Sequence, residues 1–156
     1  KGKAQQLIHG LKYKGKTKIG IFLGEQAAKH ALNKNPEYKP DVIIPVPLHF
    51  SKEKKRGFNQ CTFIAQGMAN IFQCTIDEHT IKRKVFTNSQ TKKSRYERFN
   101  NMKGVFETSN YTALNDKNVM VIDDVITTGA TLSSICNEIL KSKPKSVVVY
   151  GIALKV

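Results

Sequence analysis

Residues 119–131, Val-Met-Val-Ile-Asp-Asp-Val-Ile-Thr-Thr-Gly-Ala-Thr, leave this chain few folds to choose from. The apolar stretch 119–122 is short and largely β-branched, which suits a strand buried in a parallel sheet. Asp123 and Asp124 follow, and then a small, hydroxyl-rich turn of Thr127, Thr128, Gly129, Ala130 and Thr131. Behind the turn, Leu132, Ile135, Cys136, Ile139 and Leu140 recur at helical spacing. The order is strand, acidic pair, turn, helix. A helix start carries unpaired N–H groups and a partial positive charge, so it attracts an anion. Gly129 lets the backbone bend closely around a phosphate, and the threonine hydroxyls add side-chain hydrogen bonds. A carboxylate just ahead of such a cradle accepts from sugar hydroxyls or holds Mg²⁺ through water. No lysine follows the glycine, so this is not a Walker-type loop. Two adjacent acids alone would read as exposed charge. The whole run reads as a sugar-phosphate site.

The remainder of the chain is consistent with a single α/β domain. Its 156 residues are enough for one real core. No apolar run approaches the roughly 18 residues of a membrane helix, and no signal peptide is visible. Cys61, Cys74 and Cys136 lack C-x-x-C spacing, so a zinc site within the chain is not expected; free thiols suit a reducing cytosol. The net charge of +14, from 26 basic and 12 acidic residues, favours an anionic partner, although solubility alone is the bland alternative.

In chain order, the spacing predicts a helix over 4–13 and a second over 19–32, the latter despite Gly20 and Gly24. Lysines crowd the first 24 residues, where no acid offsets them. A strand over 42–46 runs into a proline-shaped loop of Pro45, Val46, Pro47, Leu48 and His49, placed to touch a ligand at a strand end. Residues 51–60 hold four bases before Gly57. They read as standing at or before the N-terminus of a helix that ends near Phe72. A helix dipole disfavours cations there, so an anion should offset them, with Arg56 the best-suited fork. One or two short strands are expected over 75–85 and another over 103–107. Residues 87–101 read as a long loop, with Lys92, Lys93, Arg95 and Arg98 beside Tyr96 and Phe99. Such loops are usually lids or binding loops, and mixed bases and aromatics also suit stacking on single-stranded bases. A last buried strand is expected over 146–154.

The run 119–131 resembles the phosphoribosyl pyrophosphate motif of type I phosphoribosyltransferases. Ile-Pro-Val-Pro-Leu at 44–48, Arg-Gly-Phe-Asn-Gln at 56–60, Ser-Gln-Thr at 89–91, Arg-Tyr-Glu-Arg at 95–98 and Asn-Met-Lys-Gly-Val-Phe at 101–106 extend the resemblance. Together these runs are similar to the ComF family of phosphoribosyltransferase-like proteins linked to bacterial DNA uptake. The resemblance implies a mostly parallel sheet flanked by helices, with a flexible lid at 89–98. It implies Asp123 and Asp124 on the ribose, Thr127, Thr128, Gly129, Ala130 and Thr131 on the 5-phosphate, and Val46, Pro47 and Leu48 near the pyrophosphate. Mg²⁺ would enter with phosphoribosyl pyrophosphate near Asp123 and Asp124. Arg56, Lys92, Lys93, Arg95 and Arg98 are the anion and lid contacts. Single-stranded DNA and competence-machinery proteins are the implied partners, in the cytoplasm or at the cytoplasmic face of the inner membrane. The family's usual cysteine-rich zinc module is not among these residues. No acceptor-base pocket is legible, so a nucleobase-salvage transferase and a DNA-binding scaffold without turnover remain the alternatives.

Overall fold

The computed structural model describes residues 3–84 and 104–154. The lid expected at 89–98 lies outside the described residues, and with it Lys92, Lys93, Arg95 and Arg98. The described chain runs α1 (Lys3–Lys14), α2 (Thr17–Lys34), β1 (Val42–Pro45), α3 (Phe50–Arg56), α4 (Gln60–Phe72), β2 (Thr75–Ile76) and β3 (Ile81–Arg83). It continues as β4 (Phe106–Thr108), a 3₁₀ turn (Tyr111–Leu114), β5 (Asn118–Ile126), α5 (Ala130–Leu140) and β6 (Ser146–Leu154).

Four strands form one parallel sheet in the order β2-β1-β5-β6, and β3 and β4 make a separate antiparallel pair. Val42 stands opposite Val119 and Pro45 opposite Ile122. Side chains alternate between the two faces of a strand. Val42, Ile44, Val46, Val119 and Val121 therefore pack with Leu132, Ile135 and Ile139 of α5 and with Ile81 and Phe106 of the β3–β4 pair. Ile43, Met120 and Ile122 pack on the other face, with Ala27 and Ala28 of α2 and Ile64, Ala65 and Met68 of α4. Both faces are covered, which is why the strand sequences read as unbroken apolar runs.

Gly20 and Gly24 do not break α2, because the helix needs them. A Cβ on Gly24 would collide with the Ile64 carbonyl oxygen, and one on Gly67 with the Ile21 carbonyl oxygen. The α2 and α4 backbones touch there. The helix-propensity penalty of glycine, about 1 kcal/mol each, is offset by this close approach.

One expectation is corrected in part. The strand at 146–154 forms, but it is not fully buried: Val149 is 37% and Leu154 70% exposed. β6 is the last strand of the sheet among the described residues, so only β5 pairs with it. Its valine run reflects β propensity as much as burial.

Candidate functional site

The strand carrying the acids is longer than its apolar run. β5 continues through Asp123 and Asp124 to Ile126, because β6 keeps pairing with it, Asp123 with Gly151 and Ile126 with Leu154. The acids are therefore held on a sheet strand and not on a loop. Asp123 Oδ1 accepts from the Asp124 N–H at 2.8 Å and lies 3.9 Å from the Cys61 thiol. Asp124 is 4% exposed, and Lys12 Nζ of α1 stands 2.5 Å from its Oδ2. Burial, together with the neighbouring charge of Asp124, pushes the Asp123 carboxyl up to about 6. The same burial and the two acids push the Cys61 thiol well up, so it is an uncharged neighbour and not a nucleophile.

Behind the acids the chain turns into α5 through Gly129, whose φ of 73° is left-handed. Space is not what requires glycine there, since a Cβ would meet nothing within 4 Å; the backbone angle is. α5 starts without a side-chain cap, and the Thr128 hydroxyl makes only a long 3.4 Å contact from Ala130 N–H. Its leading N–H groups are thus available to an outside acceptor. Asp123, Thr127, Gly129, Ala130 and Thr131 line a small hollow of about 60 Å³ at this helix start.

A second hollow, of about 170 Å³, joins the acids to the proline loop. Val46, Pro47 and Leu48 form one wall, Asp123, Asp124 and Thr131 the other. Lys12, Lys52, Arg56 and Arg83 reach in from three different elements, α1, α3 and β3, so the lining is strongly cationic. The Arg83 guanidinium lies 5.7 Å over the Phe106 ring, and burial lowers its pKa although Asp123 acts against that shift. Of the residues read from sequence as site candidates, the structure brings together the two acids, Thr131, Val46, Pro47, Leu48 and Arg56. Lys12, Lys52, Gln60, Cys61 and Arg83 were missed, because only the fold brings them to the acids.

The Arg-Gly-Phe-Asn-Gln segment turns out to be a brace. Gly57, at φ 82°, ends α3. Asn59 caps α4 by accepting from Cys61 N–H at 3.0 Å, and its amide donates to the Val46 carbonyl at 3.1 Å. One side chain thus ties a helix start to the proline loop. Phe58 meets Phe63 edge-on at 5.6 Å, and Gln60 is buried and accepts from Arg56. We expect Asn59→Ala to cost about 1–2 kcal/mol, the size of a lost cap plus a buried hydrogen bond. Urea unfolding would read this. Asn59→Asp should keep the cap while losing the donor to Val46.

The structure corrects the reading of the bases. Lys54, Lys55 and Arg56 do precede α4, but they occupy the last turn of a separate helix, α3. A helix C-terminus favours cations, so these bases need no anion to explain them. Arg56 also lies 5.8 Å over the Tyr13 ring. His49, at the end of the proline-shaped loop, lines the same hollow and caps α3 by accepting from Ser51 N–H at 3.3 Å.

Among the described residues no group of three or more His, Cys, Asp or Glu could hold a metal on its own. Two carboxylates suit a Mg²⁺ that keeps waters and is shared with ligand phosphates, and Asp123 and Asp124 fit that arrangement. No helix among the described residues is long and apolar enough to cross a membrane.

Solved structures share this architecture. An adenine phosphoribosyltransferase superposes at a TM-score of 0.58 with 15% identity, covering 93% of this chain and 73% of that one. A purine phosphoribosyltransferase from Pyrococcus horikoshii Ot3 superposes at 0.55 with 23% identity, covering 85% and 74%. The fold is that of the type I phosphoribosyltransferases. The chain belongs to the phosphoribosyl transferase domain family, which matches residues 18–154, and within it is a ComF-family protein. DNA utilization protein YhgH of Salmonella typhimurium is 30% identical over 92% of this chain and 64% of its own length. Competence protein F of Haemophilus influenzae is 32% identical over 73% and 50%. Competence protein ComFC of Bacillus subtilis is 34% identical over 58% and 35%. The chain thus spans less than two thirds of the curated relatives it matches.

Proposed function

We propose that this protein binds phosphoribosyl pyrophosphate with Mg²⁺ through one phosphoribosyltransferase-like domain spanning 1–156, and that it serves DNA uptake during natural transformation. The observation that carries the ligand reading is the Asp123–Asp124 pair fixed on β5 between an uncapped helix start and a cationic cleft. Ribose hydroxyls donate to the two carboxylates. The 5-phosphate accepts from the N–H groups and hydroxyls around Thr127, Thr128, Gly129, Ala130 and Thr131. Val46, Pro47 and Leu48, with Arg56 behind them, receive the pyrophosphate. Mg²⁺, when bound, would neutralise charge on the pyrophosphate as a leaving group. The protein's own share is positioning and fixed positive charge, and the acceptor is not specified by the fold.

Melting curves test this reading. A ligand at a hundredfold excess over its Kd stabilises by about 2.7 kcal/mol, or roughly 5–10 °C for a chain of this size. We expect such a shift with phosphoribosyl pyrophosphate and Mg²⁺; no shift at millimolar ligand would count against it.

The DNA-uptake role rests on the names of the relatives and on charge. With +14 overall and Tyr13 and Phe50 exposed, at 69% and 64%, near lysines of α1 and α3, single-stranded DNA is the macromolecular partner we assign. Competence-machinery proteins at the cytoplasmic face of the inner membrane complete the reading. Anisotropy with a labelled oligothymidine should give a log affinity that falls by about 0.7 per phosphate contact for each tenfold rise in salt. Salt-independent binding, or none at low salt, would remove DNA from the account.

A further inference from the structure

Lys12 is a cation at the acids that no motif announced. It projects from α1 into the cleft, with Nζ 2.5 Å from Asp124 Oδ2. The two side chains are 21% and 6% exposed, so the pair is largely screened from water. That Oδ2 has no well-aligned hydrogen bond, and the ammonium is its compensation. Removing the ammonium alone would leave a buried carboxylate uncompensated. A lysine stem is flexible, with three rotatable donors on a point charge, so Lys12 can change partners within a small radius. The wall formed by Val46, Pro47 and Leu48 borders the same hollow.

We infer that Lys12 is a specificity-determining residue of this site: it neutralises Asp124 in the free protein and passes to an anionic oxygen of the pyrophosphate when ribose hydroxyls replace it on Asp124. The inference rests on the phosphoribosyl pyrophosphate reading above. Its consequence is selectivity. A ribose 5-phosphate must break the Lys12–Asp124 pair and offers the freed ammonium nothing at the sugar's other end. A ribose bearing a pyrophosphate gives the ammonium a new anion. The ion pair therefore selects for ligands that bring their own negative charge to the proline-loop side.

The test is calorimetric titration of wild type, Lys12→Gln, Lys12→Met and Lys12→Arg, each with phosphoribosyl pyrophosphate plus Mg²⁺ and with ribose 5-phosphate plus Mg²⁺. Loss of one charge-assisted hydrogen bond predicts that Gln and Met weaken the first ligand by about tenfold or more. The same variants should leave ribose 5-phosphate unchanged or tighter. Arg should hold the wild-type preference within about threefold, since it keeps the charge. Lys12→Gln retains a neutral donor against Asp124, which guards against loss of the fold. Equal weakening of both ligands would make Lys12 a support of the fold and overturn the inference. Unchanged affinity for phosphoribosyl pyrophosphate would also overturn it. Failure of wild type to bind that ligand at all would overturn the site reading together with the inference. Wild-type binding with an unaltered preference in the variants overturns the inference alone.

Discussion

Gly67→Val should leave little folded protein. The position is buried in the middle of α4, where that helix lies directly on α2. An added Cβ collides with the Ile21 carbonyl and lies 2.9 Å from the Glu25 nitrogen, both backbone atoms of α2. No rotamer change relieves a clash with backbone. The helices must separate, and that opens the layer formed by Ala27, Ala28, Ile64, Ala65 and Met68 beneath the sheet. Cores are packed near crystal density, so overpacking against backbone belongs in the extreme tail of single substitutions, about 4 kcal/mol or more. Gly10→Ala is the opposite case. Its Cβ meets only Ile19 Cδ1 of α2, at 3.4 Å, so the helix-propensity gain of about 1 kcal/mol in α1 should show. Circular-dichroism melts of both variants read the contrast. A Gly67→Val protein melting within a few degrees of wild type would mean that α2 and α4 do not meet as described.

Asp123→Asn should raise stability at neutral pH and leave it little changed near pH 4. The carboxyl is raised from 3.8 to about 6 by burial first and by the charge of Asp124 second. A raised carboxyl makes the protonated form the favoured one in the folded state. Its contribution is fully present below the unfolded value near 3.8 and is lost as pH rises through about 6. Above that the folded protein carries an ionised, partly buried Asp123, at a cost on the order of 3 kcal/mol. Asparagine keeps the carbonyl that accepts from the Asp124 N–H and removes the charge. Urea unfolding at pH 4 and pH 8 should therefore show the variant gaining up to about 3 kcal/mol on wild type at the higher pH only. A constant offset at both values would place the raised carboxyl elsewhere. An ionised, partly buried carboxylate is also one that donating ribose hydroxyls relieve, which ties this stability cost to the proposed binding.

Much of the architecture was legible because its signals are local. The short, unbroken apolar runs at 42–46 and 119–122 marked buried strands of a parallel sheet, and the apolar spacing of 132–140 assigned α5. The strand-to-helix turn at Gly129 was legible for the same reason. What escaped depends on pairing between distant segments. β5 runs through the acids only because β6 lies alongside, and no property of Asp123 or Asp124 themselves encodes that. The split of residues 50–72 into two helices turns on Gly57 adopting a left-handed angle, which a row of lysines and a glycine did not announce. Reading only the helix after Gly57 set the bases against its N-terminus, when they belong to the C-terminus of α3. Gly24 read as a weakness of its helix, yet it is explained, like Gly67, by the backbone of the other helix. Lys12 looked like one lysine among many in a basic arm. Only its position next to buried Leu11, on a helix packed toward the acids, hinted that it faces inward.

The central claim is that Asp123 and Asp124 hold the sugar of a phosphoribosyl ligand. Calorimetric titration of wild type and of the Asp123→Asn/Asp124→Asn double variant, with phosphoribosyl pyrophosphate and Mg²⁺, tests it most directly. Hydrogen bonds to charged groups are worth about 1.5–3 kcal/mol each, so losing two charges should weaken binding by at least about a hundredfold. Saturable one-to-one binding by wild type, lost in a variant that still melts cooperatively, is the result this account predicts. Equal affinity in the two proteins would contradict it.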